Sequence, residues 1–376
     1  MKWEKVKLGN VTDSCLGKML DQNKNKGDYQ PYLANVNVRW GEFDLEDLPL
    51  MKFEESEQER YELKYGDLVI CEGGEPGRCA IWKEQIPNMK IQKALHRVRV
   101  HDCLDYRYLF YWFLLAGKTG ELDQYFTGAT IKHMPGQKLK EVVIDKPPLE
   151  IQHRIADILS AYDDLIENNQ KQIKLLEEAA QRLYKEWFVD LRFPGHENTK
   201  IVDSVPEGWR RGLLKELISV NYGKDHKKVP DDGNIPVYGS GGLMRKCNKS
   251  LFSGEAVLIP RKGSLNNIMY VDETFWTVDT MFYATMKQPH TAVFVYFFVK
   301  AFDMYSMNIG AAVPSMTTKI LDAMDVVIPD KETLEKFDKY AKVYFNKIKT
   351  LQGQNEQLKT ARDLLLPKLM SGEVEV

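Results

Sequence analysis

The stretch RIADILSAYDDLIENNQKQIKLLEEAAQRLYKEWF (residues 154–188) decides the architecture, because it predicts one long amphipathic helix. Its apolar positions alternate in steps of four and three from Ile155 to Trp187. This spacing is typical of helices that pair along a narrow seam. At about 1.5 Å per residue the helix would be about 50 Å long. Since such a helix cannot keep its seam dry alone, we expect it to pack on a partner.

A second seam near the end of the chain supplies that partner. It begins at Phe337, 182 positions after Ile155, and keeps the same steps as far as Leu369. We expect the two helices to run antiparallel. Each seam carries one asparagine, Asn169 and Asn355. A polar seam residue can fix register at some cost in stability, or it can be tolerated at a loosely packed position.

Other parts of the chain are also duplicated. GATIKHM (128–134) matches GAAVPSM (310–316) at the same displacement of 182 residues. GDLVICEGGEPGRCAIW (66–82) parallels GEAVLIPRKGSLNNIMYV (254–271), and each combines a strand, a Gly-rich turn and a second strand. The sequence therefore predicts an internal repeat.

This repeat predicts an α+β fold. Two tandem globular α/β domains are separated by two long antiparallel coiled-coil helices and related by a pseudo-two-fold axis. Prolines at the predicted joins end each element. The expected segments are a first domain, a central helix, a second domain and a distal helix, over residues 1–148, 149–195, 205–330 and 331–376.

Composition bounds the class of protein. The 376 residues have a formal charge of −2, and the five cysteines form no CxxC pair, so neither a disulfide framework nor a zinc site is indicated. No apolar run is long enough to span a membrane, and the N-terminus lacks a secretory signal. We expect a cytoplasmic protein. Basic residues are nevertheless concentrated between positions 210 and 262, with eleven Lys or Arg against five acids.

Motifs of catalysis are missing from the sequence. Its double proline, KPPLE (146–150), lacks the Asn or Asp before it and the aromatic residue after it that an amino-methyltransferase needs. LLAGKTG (114–120) lacks the first glycine of a phosphate-binding loop. The histidines stand singly, without ligand or triad partners. We therefore expect no catalytic residue, no metal and no cofactor.

Three motifs resemble a known family. The stretch that begins PPLEIQHRIADILSAY at Pro147, RFPGHE (192–197) and the ending LLLPKLMSGE (364–373) resemble conserved regions of the DNA specificity subunit of type I restriction–modification systems. The resemblance implies two target-recognition domains, each reading one half of a split site in double-stranded DNA, with helices that set the spacer between the halves.

It also implies assembly with two methyltransferase subunits, which hold S-adenosylmethionine, and optionally with two restriction subunits. The chain itself would be non-catalytic. A methylation-only recognition subunit and an adaptor that binds protein through its paired domains stay open as alternatives. A stand-alone restriction–methylation enzyme is disfavoured by the missing motifs.

Candidate DNA contacts lie in the Gly-rich turns and the repeated loop, where the backbone can approach DNA closely. Basic side chains there suit phosphates and base edges. In the first domain the candidates are Arg78, Arg97, Arg99, Lys132 and His133. In the second domain they are Arg245, Lys246, Lys249, Arg261, Lys262 and Asn266.

The end of the first long helix carries more large aromatic side chains than one narrow seam can bury. Tyr184, Trp187 and Phe188 could cap the domain beneath them or dock another subunit. We expect a subunit interface there, with the methyltransferase as the partner. Asn169 and Asn355 are the candidate register residues.

Overall fold

The computed structural model describes residues 3–21, 25–307 and 315–376. Most of the GAAVPSM element lies outside these residues. The chain divides into two compact units. Unit 1 is built from two stretches, residues 1–168 and 354–376, and unit 2 is built from one, residues 169–353.

Unit 1 is built on small sheets. Its strands are β1 (Glu4–Lys7), β2 (Thr12–Leu16), β3 (Asp28–Leu33), β4 (Leu50–Phe53), β5 (Leu68–Cys71), β6 (Cys79–Ile81), β7 (Lys90–Ile91), β8 (Leu95–Val100) and β9 (Val143–Lys146). The helices in this part of the chain are α1 (Gln58–Tyr61), α2 (Tyr106–Thr119), α3 (Gly136–Glu141) and the long α4 (Leu149–Tyr184). Strands β2, β8, β5 and β6 form an antiparallel sheet. Strands β4, β3 and β7 form a mixed sheet, in which β3 pairs antiparallel with β4 and parallel with β7.

Helix α2 forms because both of its ends are capped. The Asp105 carboxylate accepts hydrogen bonds from the backbone N–H groups of Arg107 and Tyr108. Gly120, in the left-handed region at φ 76°, ends the helix. Between these caps most of the helix is buried, and it packs against the four-stranded sheet and against both long helices.

Unit 2 contains one larger sheet. Its strands are β10 (Ile201–Val202), β11 (Val205–Pro206), β12 (Arg210–Leu213), β13 (Ile218–Tyr222), β14 (Ile235–Gly239), β15 (Gly242–Cys247), β16 (Phe252–Pro260), β17 (Met269–Thr277), β18 (Met281–Met286) and β19 (Asp325–Ile328). Its helices are α5 (Ala292–Lys300), α6 (Thr318–Asp322) and the first part of α7 (Lys331–Ser371). The sheet order is β13-β18-β16-β17-β14-β15. Strand β12 pairs with β19 as β1 pairs with β9 in unit 1.

The long helices contribute to both units in opposite directions. In unit 1 the start of α4, at Ile155 and Leu159, shares a core with the end of α7, at Leu366 and Leu369. In unit 2 the end of α4 shares a core with Phe337 and its neighbours at the start of α7. The helices are therefore antiparallel, and the predicted fold class is confirmed. Each unit contains part of both long helices. The four predicted segment boundaries stay a prediction.

The aromatic residues at the end of α4 and in the π-helical turn that follows it (Lys185–Val189) lie inside unit 2. Tyr184 and Trp187 are only 8% and 6% exposed, and the Phe188 ring lies 4.8 Å from the rings of both Phe294 and Phe337. Packing large rings against the unit's own core is favourable wherever such a core is within reach. They therefore pack on the domain that follows them, and their predicted role as a subunit interface stays a prediction.

Both seam asparagines are buried, each with 7% of its surface exposed. Their role in register stays a prediction. Across the described ranges, no helix combines the length and the apolar character that a membrane span requires. Those same residues contain no cluster of three His, Cys, Asp or Glu side chains that could hold a metal ion.

Candidate nucleic-acid interface

One edge of the unit 1 sheet begins where β2 ends. The Gly17 N–H donates to the Leu95 carbonyl at 2.9 Å, and the Lys18 N–H donates to the Ile91 carbonyl at 3.0 Å. A Cβ on Gly17 would lie 2.5 Å from the carbonyl atoms of Gln92. Only glycine permits so close an approach of the two backbones.

Unit 2 repeats this arrangement with other residues. The Gly223 N–H donates to the Met281 carbonyl at 3.0 Å, and the Lys224 N–H donates to the Thr277 carbonyl at 2.9 Å. A Cβ on Gly223 would lie 2.0 Å from the carbonyl oxygen of Val278. The Gly-Lys pairs 17–18 and 223–224 are therefore structurally equivalent.

The repeated GATIKHM and GAAVPSM elements join the same edge through their methionines. In unit 1 the Glu72 N–H donates to the Ala94 carbonyl at 2.8 Å, and the Met134 N–H donates to the Glu72 carbonyl at 2.7 Å. In unit 2 the Arg261 N–H donates to the Thr280 carbonyl at 2.8 Å. Met316, 182 positions after Met134, donates to the Arg261 carbonyl at 2.9 Å.

We call this set of segments the turn edge. In unit 1 it comprises residues 17–18, 72–73, 92–94 and 134, and in unit 2 it comprises residues 223–224, 261–262, 278–280 and 316. The backbone frame is shared, whereas the side chains differ: a Glu-Gly pair at 72–73 stands where unit 2 has Arg-Lys at 261–262.

A buried histidine secures the unit 1 turn edge. The side chain of His96 is 1% exposed, and its Nε2 lies 2.9 Å from the carbonyl oxygen of Met134. Burial lowers the pKa of His96, opposed by this hydrogen bond. The ring is therefore neutral near pH 7, and Nε2–H donates to the carbonyl that closes GATIKHM.

Three predicted arginines of unit 1 are engaged within the unit. Arg78 donates to the backbone and side-chain oxygens of Asn35 at 3.2 and 3.1 Å. Arg97 is 9% exposed and donates to three backbone carbonyls near the end of α1, those of Glu59, Arg60 and Glu62. Arg99 makes a two-point contact with the Asp67 carboxylate, at 2.7 Å for each bond. These guanidinium groups hold loops in place.

Lys132 and His133 lie on an exposed hairpin. Thr127 and His133 exchange backbone hydrogen bonds of 2.7 and 2.8 Å, which close the loop. A Cβ on Gly73 would lie 2.8 Å from Nδ1 of His133, so the hairpin rests directly on the turn edge. Lys132 lies 3.4 Å from the exposed Asp123, and an ion pair of this kind in solvent is weak.

In unit 2 the predicted residues separate into two groups. Arg245 donates to the carbonyls of His226 and Val229 at 2.6 and 2.8 Å. The side-chain amide of Asn266 donates from Nδ2 to the Asp303 carboxylate and accepts at Oδ1 from the N–H of Met304. These two side chains stabilise loops. Lys246, Lys249 and Lys262 are exposed.

Arg261 combines structural and surface character. Its Nη1 donates to the Asp279 carbonyl at 2.9 Å, and its guanidinium lies 4.9 Å from the ring centre of Tyr222. Tyr222 is itself 54% exposed. Arg261 and Lys262 thus lie together on the turn edge of unit 2, whereas Arg245 lies on the neighbouring β14–β15 hairpin.

Sequence reasoning missed residues 92–94 in unit 1 and Lys224 in unit 2. A signal was present, because the tripeptides LGK (16–18) and YGK (222–224) each place Gly-Lys after a strand. Residues 92–94 gave no such signal, since only the paired backbone of the neighbouring strand brings them to the edge. The role of the candidate residues in DNA binding stays a prediction.

Similarity to known proteins points in one direction. The family described as type I restriction modification DNA specificity domain matches residues 1–178 and again residues 206–360. The chain is 27% identical over 352 residues to the type I restriction enzyme MjaIX specificity subunit of Methanocaldococcus jannaschii, covering 83% of this chain and 78% of that protein. It is 24% identical over 415 residues to the MjaVIII specificity subunit of the same organism, covering 100% and 93%.

A solved structure shares the fold. The S subunit of a type I restriction-modification system from M. genitalium superposes with a TM-score of 0.60 at 19% sequence identity. The alignment covers 98% of this chain and 96% of that one.

Proposed function

Because the chain belongs to the family of type I restriction–modification specificity subunits and carries two target-recognition domains, we propose that each unit reads one half of a bipartite, asymmetric DNA site. The turn edge carries this proposal. It repeats one backbone frame in both units but presents different side chains, so the two half-sites should differ in sequence.

Affinity for DNA comes chiefly from exposed lysines around the two turn edges. Their charges suit phosphates, and such contacts make binding depend strongly on salt. The proposed phosphate contacts are Lys132, Lys224, Lys246, Lys249 and Lys262. The engaged side chains of Arg78, Arg97, Arg99, Arg245 and Asn266 support binding by holding the loops in shape.

The two long helices set the number of unread base pairs between the half-sites. At about 1.5 Å per residue, the 36 residues of α4 extend about 54 Å and the 41 residues of α7 about 62 Å. Each helix is built into both units. A change in helix length should therefore change the spacer and leave each half-site as it is.

Two matched apolar patches support docking of two methyltransferase subunits. On α4, in unit 1, Ile158 is 37% exposed and Ala161 is also exposed. On α7, in unit 2, Tyr340 and Val343 are 56% and 65% exposed. Tyr340 and Val343 stand 182 positions after Ile158 and Ala161. Equivalent patches suit two copies of one partner. We propose these patches as the docking surface in preference to the buried Tyr184 and Trp187 and the half-buried Phe188.

Catalysis belongs to the partners in this proposal. The methyltransferase subunits hold S-adenosylmethionine, restriction subunits join in a complete system, and the assembly acts on DNA in the cytoplasm. The chain itself determines which DNA sequence the assembly recognises.

Base-resolution mapping of methylated sites in the host, with and without this gene, tests the proposal. A split motif should disappear when the gene is deleted. Replacing residues 1–147 by the first domain of a relative should then change one half of the motif and keep the other. Unchanged methylation on deletion, or a change in both halves on the swap, would overturn it. An adaptor that binds only protein predicts the unchanged pattern.

A further inference from the structure

The turn before β8 has a fixed and strained backbone. The Gln92 N–H donates to the Leu33 carbonyl at 3.0 Å, and the Lys93 N–H donates to the Lys18 carbonyl at 2.8 Å. Ala94 has a φ of 85°, in a region that residues with a Cβ seldom adopt. Strain of this kind persists where the surroundings enforce it, and it is common at functional sites.

The side chain of Gln92 is unused by the fold. It is half-buried, and its amide has no hydrogen-bond partner anywhere in the described ranges 3–21, 25–307 and 315–376. Asn35, whose side chain contacts this edge, behaves differently, because it donates to the Gly73 carbonyl at 2.7 Å and accepts from Arg78. A rigid backbone thus presents one free amide.

The equivalent turn of unit 2 shows that the fold does not require this glutamine. Val278, Asp279 and Thr280 form the same backbone frame there, and Val278 is 5% exposed. Positive φ, found at Ala94, is not found at Thr280. The free amide and the strain are therefore features of unit 1 alone, as expected for a residue that reads one half-site.

The chemistry of an amide selects its target. A glutamine side chain offers one acceptor and two donors, and it can pair with N6–H and N7 of adenine in the major groove. Lys93, the next residue, is a flexible point charge suited to a phosphate.

We propose that Gln92 reads an adenine of the first half-site and that Lys93 contacts an adjacent phosphate. The proposal rests on the function proposed above. Lys132 and His133 lie on the hairpin that packs on the same turn edge, so a duplex bound there would contact all four side chains.

The test uses the full chain in complex with its methyltransferase, incubated with a library of randomised DNA duplexes and sequenced after selection. Gln92→Ala should lose preference at one base pair of the first half-site, with discrimination falling about 5- to 150-fold. Gln92→Glu should shift that preference towards cytosine, whose N4 amino group donates to a carboxylate. Lys93→Ala should weaken binding to all sequences alike and lower the salt slope by about one.

Controls keep the outcome decisive. Gln181→Ala, an exposed glutamine on α4, should keep the complete motif. Gln92→Leu, which retains the volume of the side chain, covers the case in which the alanine variant is unstable. A complete motif from folded Gln92→Ala or Gln92→Leu would overturn the assignment of Gln92. If the unaltered complex selects no split motif, the proposed function fails instead.

Discussion

Replacing Trp187 by alanine separates the two roles that its sequence position allows. The side chain is 6% exposed, and its ring lies 5.8 Å from Phe337 and 6.0 Å from Tyr340. A tryptophan buries about 150–250 Å², which at about 25 cal/mol per Å² corresponds to about 4–6 kcal/mol. Measured truncations of large aromatic residues cost about 3–5 kcal/mol. We therefore expect unit 2 to lose about 3–5 kcal/mol of unfolding free energy.

Scanning calorimetry of the isolated chain measures this loss. For a unit of this size each kcal/mol lowers Tm by about 2–4 °C, so the unit 2 transition should move down by about 6–20 °C. Hydrogen exchange assigns the transition, because amides in unit 2 should lose protection while those of unit 1 keep it. Leu175→Ala, on α4 but 64% exposed, should change the unfolding free energy by less than about 0.5 kcal/mol.

The opposite pattern would refute the reasoning. If Trp187→Ala melts like the unaltered chain and yet fails to bind methyltransferase, then Trp187 serves a partner and its packing in unit 2 contributes little.

The remaining predictions concern DNA binding, one ion pair and pH. Lys262→Ala should lower DNA affinity and reduce the salt slope by about one without changing Tm, whereas Arg261→Ala should lower both affinity and Tm; equal Tm values for the two would contradict this. Arg362→Ala removes a charged hydrogen bond to Asp163 in unit 1 and should cost about 1.5–3 kcal/mol in urea unfolding. Burial lowers the pKa of His96 in the folded state, so the unfolded state binds the proton first and unit 1 should lose stability as pH falls below about 6.5. His96→Leu should flatten the slope of stability between pH 6.5 and 5; an unchanged slope would exclude His96 as its source.

Much of the fold was predictable from the sequence. The two helices and their pairing follow from a periodic pattern, since each apolar residue lies a fixed number of positions from the next. The displacement of 182 residues between Ile155 and Phe337 also predicted the repeat. Such signals are local or periodic, and they can therefore be recognised from the sequence alone.

The candidate site was less predictable, because it depends on which side chains meet. Arg99 was an attractive DNA contact by its charge, but Asp67, 32 positions away, holds it. Asn266 is engaged by Asp303, and no spacing rule indicates that pair. For the aromatic rings at the end of the first long helix the sequence allowed two roles, and it could not show that a core lies within their reach in unit 2.

The sequence by itself determined that this protein contains one architecture twice, with long paired helices, because periodicity encodes the buried face of a helix directly. Only the tertiary structure decided which polar groups remain free to act. Gln92 and Lys93 reach the turn edge through backbone hydrogen bonds to Leu33 and Lys18, contacts between distant residues that depend on strand pairing. Hydrogen bonds of that kind join residues that are far apart in the sequence, and no periodic pattern in the chain predicts them.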